Sequence, residues 1–376
     1  MIPYGRQDID EADIAAVVKA LRSDWLTTGP AIERFEEAVK RRTGAAHAVA
    51  CANGTVSLHL ACRALGLGPG DTLWTSPNTF VASANCALYC GAGVDFVDID
   101  PRTYNMSTEA LAQKLGRAKQ KPKIVIPVHF AGQPCDMRAI AALAKQYGFS
   151  VIEDASHAVG ADYLGKPVGD SRYSDITSLS FHPVKIVTSA EGGMTLTQRP
   201  ELAERLRVLR THGITRDEKA MAGPREGGWY YEQIELGYNY RITDLQAALG
   251  ESQMRRLDAF LERRRQLIAR YEKLLADLPV TRPFQSPDGR SAWHLYVVLV
   301  DHRRKVYDAL RAAGIGVNVH YIPVHLQPYY RKLGFKRGDF PNAEAYYERA
   351  LTLPLFPRMS DADQDQVVRA LRKALG

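Results

Sequence analysis

An alternation of short apolar runs with helical patterns through the first half of the chain constrains its fold more than any other feature. Residues 124–128 form one continuous apolar run, IVIPV, and further predicted strands at 47–51 and 151–154 are separated by segments with helical periodicity. Continuous apolar runs are typical of strands buried on both faces, and strand–helix alternation is typical of a mostly parallel sheet covered by helices. The sequence therefore predicts an α/β large domain.

The pattern changes after about residue 250. The predicted elements there are a charged helix at 251–278 and, after the loop PFQSPDG, a strand at 293–300, a helix at 305–313, a strand at 317–321 and a C-terminal helix. This mixture predicts a smaller α+β unit that is linked through the long helix. Because 376 residues exceed one typical domain, we expect a large domain over residues 1–250 and a small domain over 251–376.

Capping signals place the first two helices. Asp10 predicts the start of the first helix, and Asp13 lies in its first turn, where an acidic side chain is favoured. Gly29 and Pro30 predict the start of the second helix, with proline in the first helical position, and Gly44 predicts its end. Both helices precede the first predicted strand.

Composition narrows the class of protein. With 45% hydrophobic and 24% charged residues the chain resembles a soluble enzyme, and no run approaches the roughly 20 apolar residues of a membrane span. Its polar, acidic N-terminus is unlike a secretory or transit signal, so we expect a cytoplasmic protein.

Five cysteines do not predict a disulfide framework, and Cys86 and Cys90 have no second pair at zinc-like spacing, so we expect no metal. The net charge of +7 is spread along the chain without interleaved aromatic residues, which favours anionic small substrates over nucleic acid.

Three polar segments follow predicted strands, where open α/β sheets bind their ligands. Gly54 and Thr55 open a helix whose free N–H groups suit a phosphate, although Asn-Gly is also a common turn. Asp154 ends an apolar strand, where a carboxylate needs a cation or a donor; a protonated pyridine nitrogen and a role as a helix N-cap are both open. Lys185 lies in a loop of low charge before a glycine pair, where desolvation would make its amine a nucleophile, or its stem could reach solvent.

The motifs occur in the order NGT, TFVASAN, EDASHA, SLSFHPVKIVTSAEGG and GYNYRITDLQAA, and the match runs from WLTTGP to VHYIPVH near the C-terminus. This ordered set resembles the DegT/DnrJ/EryC1/StrS family of sugar-nucleotide aminotransferases. The resemblance implies the fold type I architecture of the aspartate aminotransferase superfamily, a homodimer with shared active sites, and pyridoxal 5'-phosphate as the cofactor.

The resemblance also implies roles for individual residues. Lys185 matches the Schiff-base lysine, and Asp154 matches the carboxylate that pairs with the pyridine nitrogen. The other matching positions are the phosphate-binding Gly54, Thr55 and Ser180, the ring-stacking Phe80, His157 at the cofactor ring or its hydroxyl, and Asn239, which reaches the phosphate of the partner subunit's site.

The implied reaction is the transfer of an amino group from L-glutamate to a keto sugar. IPYGRQ, WLTTGP, SFHPVK and VHYIPVH most resemble the subfamily that aminates UDP-linked 4-keto-6-deoxy-N-acetylhexosamines on the way to pseudaminic acid, which makes Tyr4 and Tyr321 candidate substrate contacts. The alternative for both tyrosines is ordinary packing, because tyrosine is common at buried edges where its hydroxyl finds a partner. A Schiff-base lyase would not need Asp154, a sugar dehydratase of the same fold would have lost Lys185, and a sugar-binding protein without activity would not need both.

Overall fold

A seven-stranded sheet lies at the centre of the computed structural model, which describes residues 1–376. The strands of the chain are β1 His47–Cys51, β2 Thr72–Thr75, β3 Gly93–Phe96, β4 Ile124–Ile126, β5 Ser150–Asp154, β6 Asp162–Tyr163, β7 Lys166–Pro167, β8 Ile176–Ser180, β9 Gly193–Thr197, β10 Ile214–Thr215, β11 Glu232–Gln233, β12 Gly289–Arg290, β13 Tyr296–Leu299 and β14 Ala350–Leu353. The order in the central sheet is β1-β9-β8-β5-β4-β2-β3. The strands β8, β5, β4, β2 and β3 are parallel, while β9 is antiparallel to both of its neighbours. The predicted mostly parallel sheet is confirmed.

Helices cover both faces of this sheet. They are α1 Glu11–Leu21, α2 Pro30–Thr43, α3 Gly54–Ala64, α4 Ala82–Tyr89, α5 Thr108–Arg117, α6 Met137–Tyr147, α7 Pro200–Arg210, α8 Asp244–Arg255, α9 Leu257–Leu274, α10 Arg303–Ala312, α11 Pro328–Lys332, α12 Pro341–Arg349 and α13 Asp361–Leu375. Within β4, Ile124 and Ile126 pack with α3 on one face, and Val125 packs with α5 and α6 on the other. Alternate residues of a strand point to opposite faces, which explains why this strand is apolar throughout. No helix combines the length and apolar character that crossing a membrane requires.

The predicted capping signals of the first two helices are confirmed. Asp10 and Asp13 form a reciprocal capping box at the start of α1. Pro30 is the first residue of α2, and Gly44 ends that helix with a φ of 79°, a left-handed conformation that glycine adopts without steric cost.

The C-terminal part packs around a separate apolar cluster. The antiparallel pair β13 and β14 contributes Val298 and Leu353, and α9 and α13 contribute Leu267 and Val367. Ile2 joins the same cluster, because the N-terminal segment lies beside this part of the chain. The C-terminal part thus shares a core with the first residues of the sequence. The domain division at residue 250 stays a prediction.

Two predicted elements of this part are wrong. The long helix expected at 251–278 is two helices, α8 and α9, which are interrupted at Arg256. Arg256 forms ion pairs with Asp8, Asp10 and Asp13 of the N-terminal segment, partners that the helical pattern itself cannot show. The strand expected at 317–321 is an irregular segment with a single bridge, from Asn318 to Thr352.

The N-terminal segment is held by backbone hydrogen bonds to the C-terminal part. The amide of Ile2 donates to the carbonyl of Gly314 at 2.9 Å, and its carbonyl accepts from Gly316 at 2.6 Å. The carbonyl of Tyr4 accepts from the amide of Leu355 at 2.9 Å. These bonds fix the position of Tyr4 relative to the rest of the molecule.

Candidate active site

A cavity of about 540 Å³ lies where the carboxyl ends of β5 and β8 meet the start of α3. The irregular segment at 318–321 forms part of its wall. Of the residues that the sequence predicts for the site, those that line this cavity are Tyr4, Gly54, Thr55, Phe80, Asp154, His157, Ser180, Lys185 and Tyr321. The fold therefore brings together nine residues that come from widely separated parts of the sequence.

Lys185 lies in the loop between β8 and β9. Its backbone amide donates to the carbonyl of His182 at 2.9 Å, which gives the loop its turn. The side chain lines the cavity and is half-buried. Burial lowers the pKa of its amine to about 8, against the opposing effect of the Asp154 carboxylate. About a tenth of this lysine is therefore uncharged and nucleophilic at pH 7, far more than of a lysine with the ordinary pKa of 10.5.

Asp154 is the last residue of β5 and is only 5% exposed. The hydroxyl of Ser83 donates to its Oδ2 at 2.6 Å, and the amide of Ser156 donates to its Oδ1 at 3.1 Å. Neither of these donors carries a charge. No helix begins in residues 155–161, so the alternative role of Asp154 as a helix N-cap is wrong. A buried carboxylate fixed in this way can hold a cationic ligand group at the floor of the cavity.

The start of α3 provides an anion site beside Ser180. Asn53 caps the helix by accepting the amide of Val56 at 3.0 Å, which leaves the amides of the first two residues, Gly54 and Thr55, without partners inside the helix. A Cβ atom on Gly54 would lie 2.9 Å from the Cβ of Ser180. Glycine is therefore required for the hydroxyl of Ser180 to lie against the helix terminus, where free N–H groups and the helix dipole favour a phosphate.

His157 and Phe80 line the upper part of the cavity. His157 is 5% exposed, and its Nδ1 is buried without a hydrogen-bond partner. Burial holds the pKa of its imidazole well below the usual range, helped by the positive charge of Lys185. Phe80 is 57% exposed, although large apolar side chains are normally covered. An exposed aromatic face beside a polar cavity suits contact with a planar ring of a ligand.

Asn239 is the predicted residue that does not line the cavity. Its side chain is exposed, and its backbone pairs with Thr211 outside the strands. Trp229 and Leu236, which precede it in the sequence, are each 74% exposed. This placement leaves Asn239 available to another protein surface.

Sequence reasoning missed several residues of the cavity, namely Asn53, Thr79, Ser83, Ser156, His182, Glu191, His294, Asn318, Val319 and His320. Ser83 had a usable signal, because it lies within the quoted motif TFVASAN one helical turn after Thr79, with which it shares a hydrogen bond of 2.8 Å. His294 had none, since it is a single histidine within the strand predicted at 293–300.

Comparison with known proteins agrees with this geometry. Residues 7–372 match the model of the DegT/DnrJ/EryC1/StrS aminotransferase family. The spore coat polysaccharide biosynthesis protein SpsC of Bacillus subtilis is 42% identical over 380 residues, which cover 99% of this chain and 96% of SpsC.

Two solved structures have the same fold. The putative sugar aminotransferase Spr1654 from Streptococcus pneumoniae, in its PMP form, has a TM-score of 0.92 at 32% identity and covers 100% of this chain and 99% of its own. Helicobacter pylori PseC, an aminotransferase involved in the biosynthesis of pseudoaminic acid, has a TM-score of 0.91 at 27% identity and covers 100% of this chain and 99% of its own. This chain therefore belongs to the DegT/DnrJ/EryC1/StrS aminotransferase family.

Proposed function

We propose that this sugar aminotransferase uses pyridoxal 5'-phosphate bound through Lys185 to move an amino group from L-glutamate to C4 of a UDP-linked 4-keto-6-deoxy-N-acetylhexosamine. The observation that carries the proposal is the pairing, in one cavity, of an amine whose pKa is about 8 with a buried carboxylate that has only uncharged donors. That pair suits a cofactor with an aldehyde at one position and a basic ring nitrogen at another.

The residues of the cavity fit this cofactor. Asp154 would hold the ring nitrogen protonated, and the terminus of α3 with Ser180 would hold the phosphate. The unpartnered Nδ1 of His157 would meet the ring hydroxyl, and Phe80 would cover the ring. When bound, the cofactor supplies an electron sink for the carbanion at the substrate carbon.

Lys185 has a second task once its amine is free. A neutral amine with a pKa of about 8 is well matched to remove the proton from Cα of glutamate and to return a proton to the carbon that gains the amine. Burial of the cavity floor keeps bulk water away from Asp154. Lys185 is therefore proposed as both the covalent anchor and the general acid–base.

The nucleotide sugar is the first property to test. With glutamate as the donor, we expect the purified protein to convert a UDP-4-keto-6-deoxy-N-acetylhexosamine to a 4-amino sugar and 2-oxoglutarate. A dTDP-4-keto-6-deoxyglucose should react much more slowly because it lacks the acetamido group. Product mass spectrometry and a coupled 2-oxoglutarate assay measure both reactions. Comparable or faster turnover of the dTDP sugar would reject the substrate and leave the aminotransferase reaction intact.

A second candidate is amination of another nucleotide keto sugar. It is favoured by SpsC, whose name refers to a spore coat polysaccharide and which is 42% identical to this chain, against 27% for PseC. The same panel of nucleotide sugars decides between the two candidates.

Tyr4, which lines the cavity, is a candidate contact to the sugar in either reaction. We expect Tyr4→Phe to raise the KM for the sugar nucleotide without changing the visible spectrum of the enzyme.

We further propose a homodimer in which Asn239 contacts the phosphate in the partner subunit's site. Its exposure and its absence from the cavity of its own chain support this arrangement. Lys185→Ala and Asn239→Ala dimers should each be inactive or nearly so, whereas hybrid dimers should regain activity because one site then has both intact residues. Hybrids purified with two different affinity tags measure this. Verified hybrids without recovered activity would contradict the shared site.

The rate of cofactor uptake should depend on pH through Lys185. Its pKa is lowered from 10.5 to about 8, so the amine that attacks the cofactor aldehyde is mostly protonated below pH 8 and mostly free above it. We expect the rate at which apo-protein gains the visible band to rise with a midpoint near pH 8 and to level off above about pH 9. A rate that keeps rising toward the ordinary lysine value would show that burial does not lower this pKa.

A further inference from the structure

A hydrogen bond across the cavity joins Tyr321 to His157. The tyrosine lies in the irregular segment that follows α10, and the histidine lies in the turn that follows β5. The Tyr321 hydroxyl is 3.2 Å from His157 Nε2, while Nδ1 of the same ring is buried and has no partner in the protein. Only one end of the imidazole is therefore satisfied.

The direction of this hydrogen bond follows from the available groups. Burial raises the pKa of Tyr321 and lowers that of His157, so both side chains are neutral at physiological pH. A neutral imidazole has one N–H and one acceptor nitrogen. Among protein atoms, only His157 Nε2 lies within hydrogen-bonding distance of the Tyr321 hydroxyl, so the hydroxyl has a protein acceptor only when Nε2 carries no proton. In that arrangement the tyrosine donates and the imidazole proton lies on Nδ1.

We propose that Tyr321 is a positioning residue that fixes the tautomer of His157, so that Nδ1 presents an N–H to the 3-oxygen of the bound cofactor. The inference rests on the proposed use of pyridoxal phosphate and assigns to Tyr321 a role different from contact with the sugar. Its basis in the structure is the satisfied Nε2 and the unpartnered, buried Nδ1 of a single ring.

The surroundings of His157 leave Nδ1 without a competing acceptor. The ring of His294 lies 4.4 Å away between centroids, and that of Phe130 lies 6.2 Å away. His294 is held in place because the buried guanidinium of Arg264 donates to its backbone carbonyl at 3.3 Å. The ionisable groups beside His157 include Lys185, His294, His320 and Tyr321. The carboxylate of Asp154, which lines the same cavity, accepts from Ser83 and from the amide of Ser156, and Nδ1 has no hydrogen-bond partner in the protein, so an N–H there is available to a ligand.

The tautomer can be measured without the cofactor. In apo-protein labelled with ¹⁵N-histidine, two-bond proton–nitrogen correlation spectra distinguish a protonated Nδ1 from a protonated Nε2, and the loss of signals in His157→Gln assigns the ring. We expect wild-type His157 to be protonated at Nδ1 and Tyr321→Phe to shift it partly or fully to Nε2. Tyr346→Phe is the matched control, because its hydroxyl donates to the backbone carbonyl of His320 at 2.7 Å and not to His157. Protonation of Nε2 in the wild type would overturn the proposal whether or not any variant folds.

The holoenzyme provides a second readout. A hydrogen bond donated to the 3-oxygen makes that oxygen a weaker acceptor for the imine proton. Losing this hydrogen bond should therefore raise the pKa of the visible chromophore. A hydrogen bond contributes about 0.5–1.5 kcal/mol, so we expect Tyr321→Phe and His157→Leu each to raise this pKa by about half a unit to one unit. A pH titration of the visible band measures the shift.

Glutamine at position 157 separates positioning from substrate contact. An amide N–H₂ donates without needing a tautomer, so His157→Gln should keep the chromophore pKa near the wild-type value. Adding Tyr321→Phe to His157→Gln should then leave the chromophore pKa unchanged. A Tyr321→Phe effect that persists in the glutamine background, or one confined to the KM for the sugar, would overturn the proposal. Failure to form any chromophore in the wild type would instead reject the cofactor assignment.

Discussion

Lys185→Ala should abolish turnover and remove the visible absorption band of the lysine-bound cofactor. The variant loses the covalent anchor and the general acid–base together, and general acid–base catalysis alone typically contributes about 10²- to 10⁴-fold. The amine that is lost is the one whose pKa burial lowers to about 8. Single-turnover assays with glutamate and absorbance spectra of the purified variant measure the two effects.

A matched control shows that the loss is specific to this lysine. Lys305 is an exposed residue of α10, and Lys305→Ala should retain both the band and the activity. Circular dichroism and thermal unfolding of Lys185→Ala should remain close to the wild type, because removing a partly desolvated amine from the cavity leaves no unpaired group behind. A Lys185→Ala protein that keeps the band and full turnover would reject the site as described.

Asp154→Asn should keep the visible band but lose about 10²- to 10³-fold in turnover, the range found when one preorganised charge-stabilising group is removed. The amide fills the same space and can still accept from Ser83 through its oxygen, so the fold should be retained. An amide cannot stabilise a positive charge on the ring nitrogen, so the carbanion formed at the substrate carbon would lose its electron sink.

The two variants therefore have different signatures. Lys185→Ala loses chromophore and chemistry, whereas Asp154→Asn separates them. Asp95→Asn is a suitable control, because Asp95 lies on the edge strand β3, three strands away from β5 in the same sheet, and pairs with Lys114 at 2.7 Å. Wild-type activity in Asp154→Asn would show that the carboxylate is structural only.

The sequence alone predicts the large sheet and much of the cavity, because both depend on local patterns. Apolar runs such as 124–126 require cover on both faces. Asp154 ends one buried strand, and Lys185 lies in the loop after another. The cavity residues that the C-terminal part contributes could not be predicted from local patterns. His294 and Asn318 enter the cavity through tertiary packing, which no helical or strand period encodes.

The wrong elements have related causes. The interruption at Arg256 reflects ion pairs to the N-terminal segment, and charged helical sequence on either side gives no sign of it. The irregular segment at 318–321 has the alternating composition of a strand, but it forms only one bridge. In both places a contact distant in sequence decides the local structure, and propensity is too weak to oppose it.

The attachment of residues 2–4 to the C-terminal part has a consequence for synthesis on the ribosome. Ile2 and Tyr4 are made more than 300 residues before their hydrogen-bond partners, Gly314, Gly316 and Leu355. Contacts so distant in sequence form late, because closing a long loop costs entropy before the contact repays it. Residues 2–4 therefore stay unpaired while the intervening part of the chain is synthesised. Since these residues deliver Tyr4 to the cavity, the candidate site cannot be completed before residues 314–355 have been made.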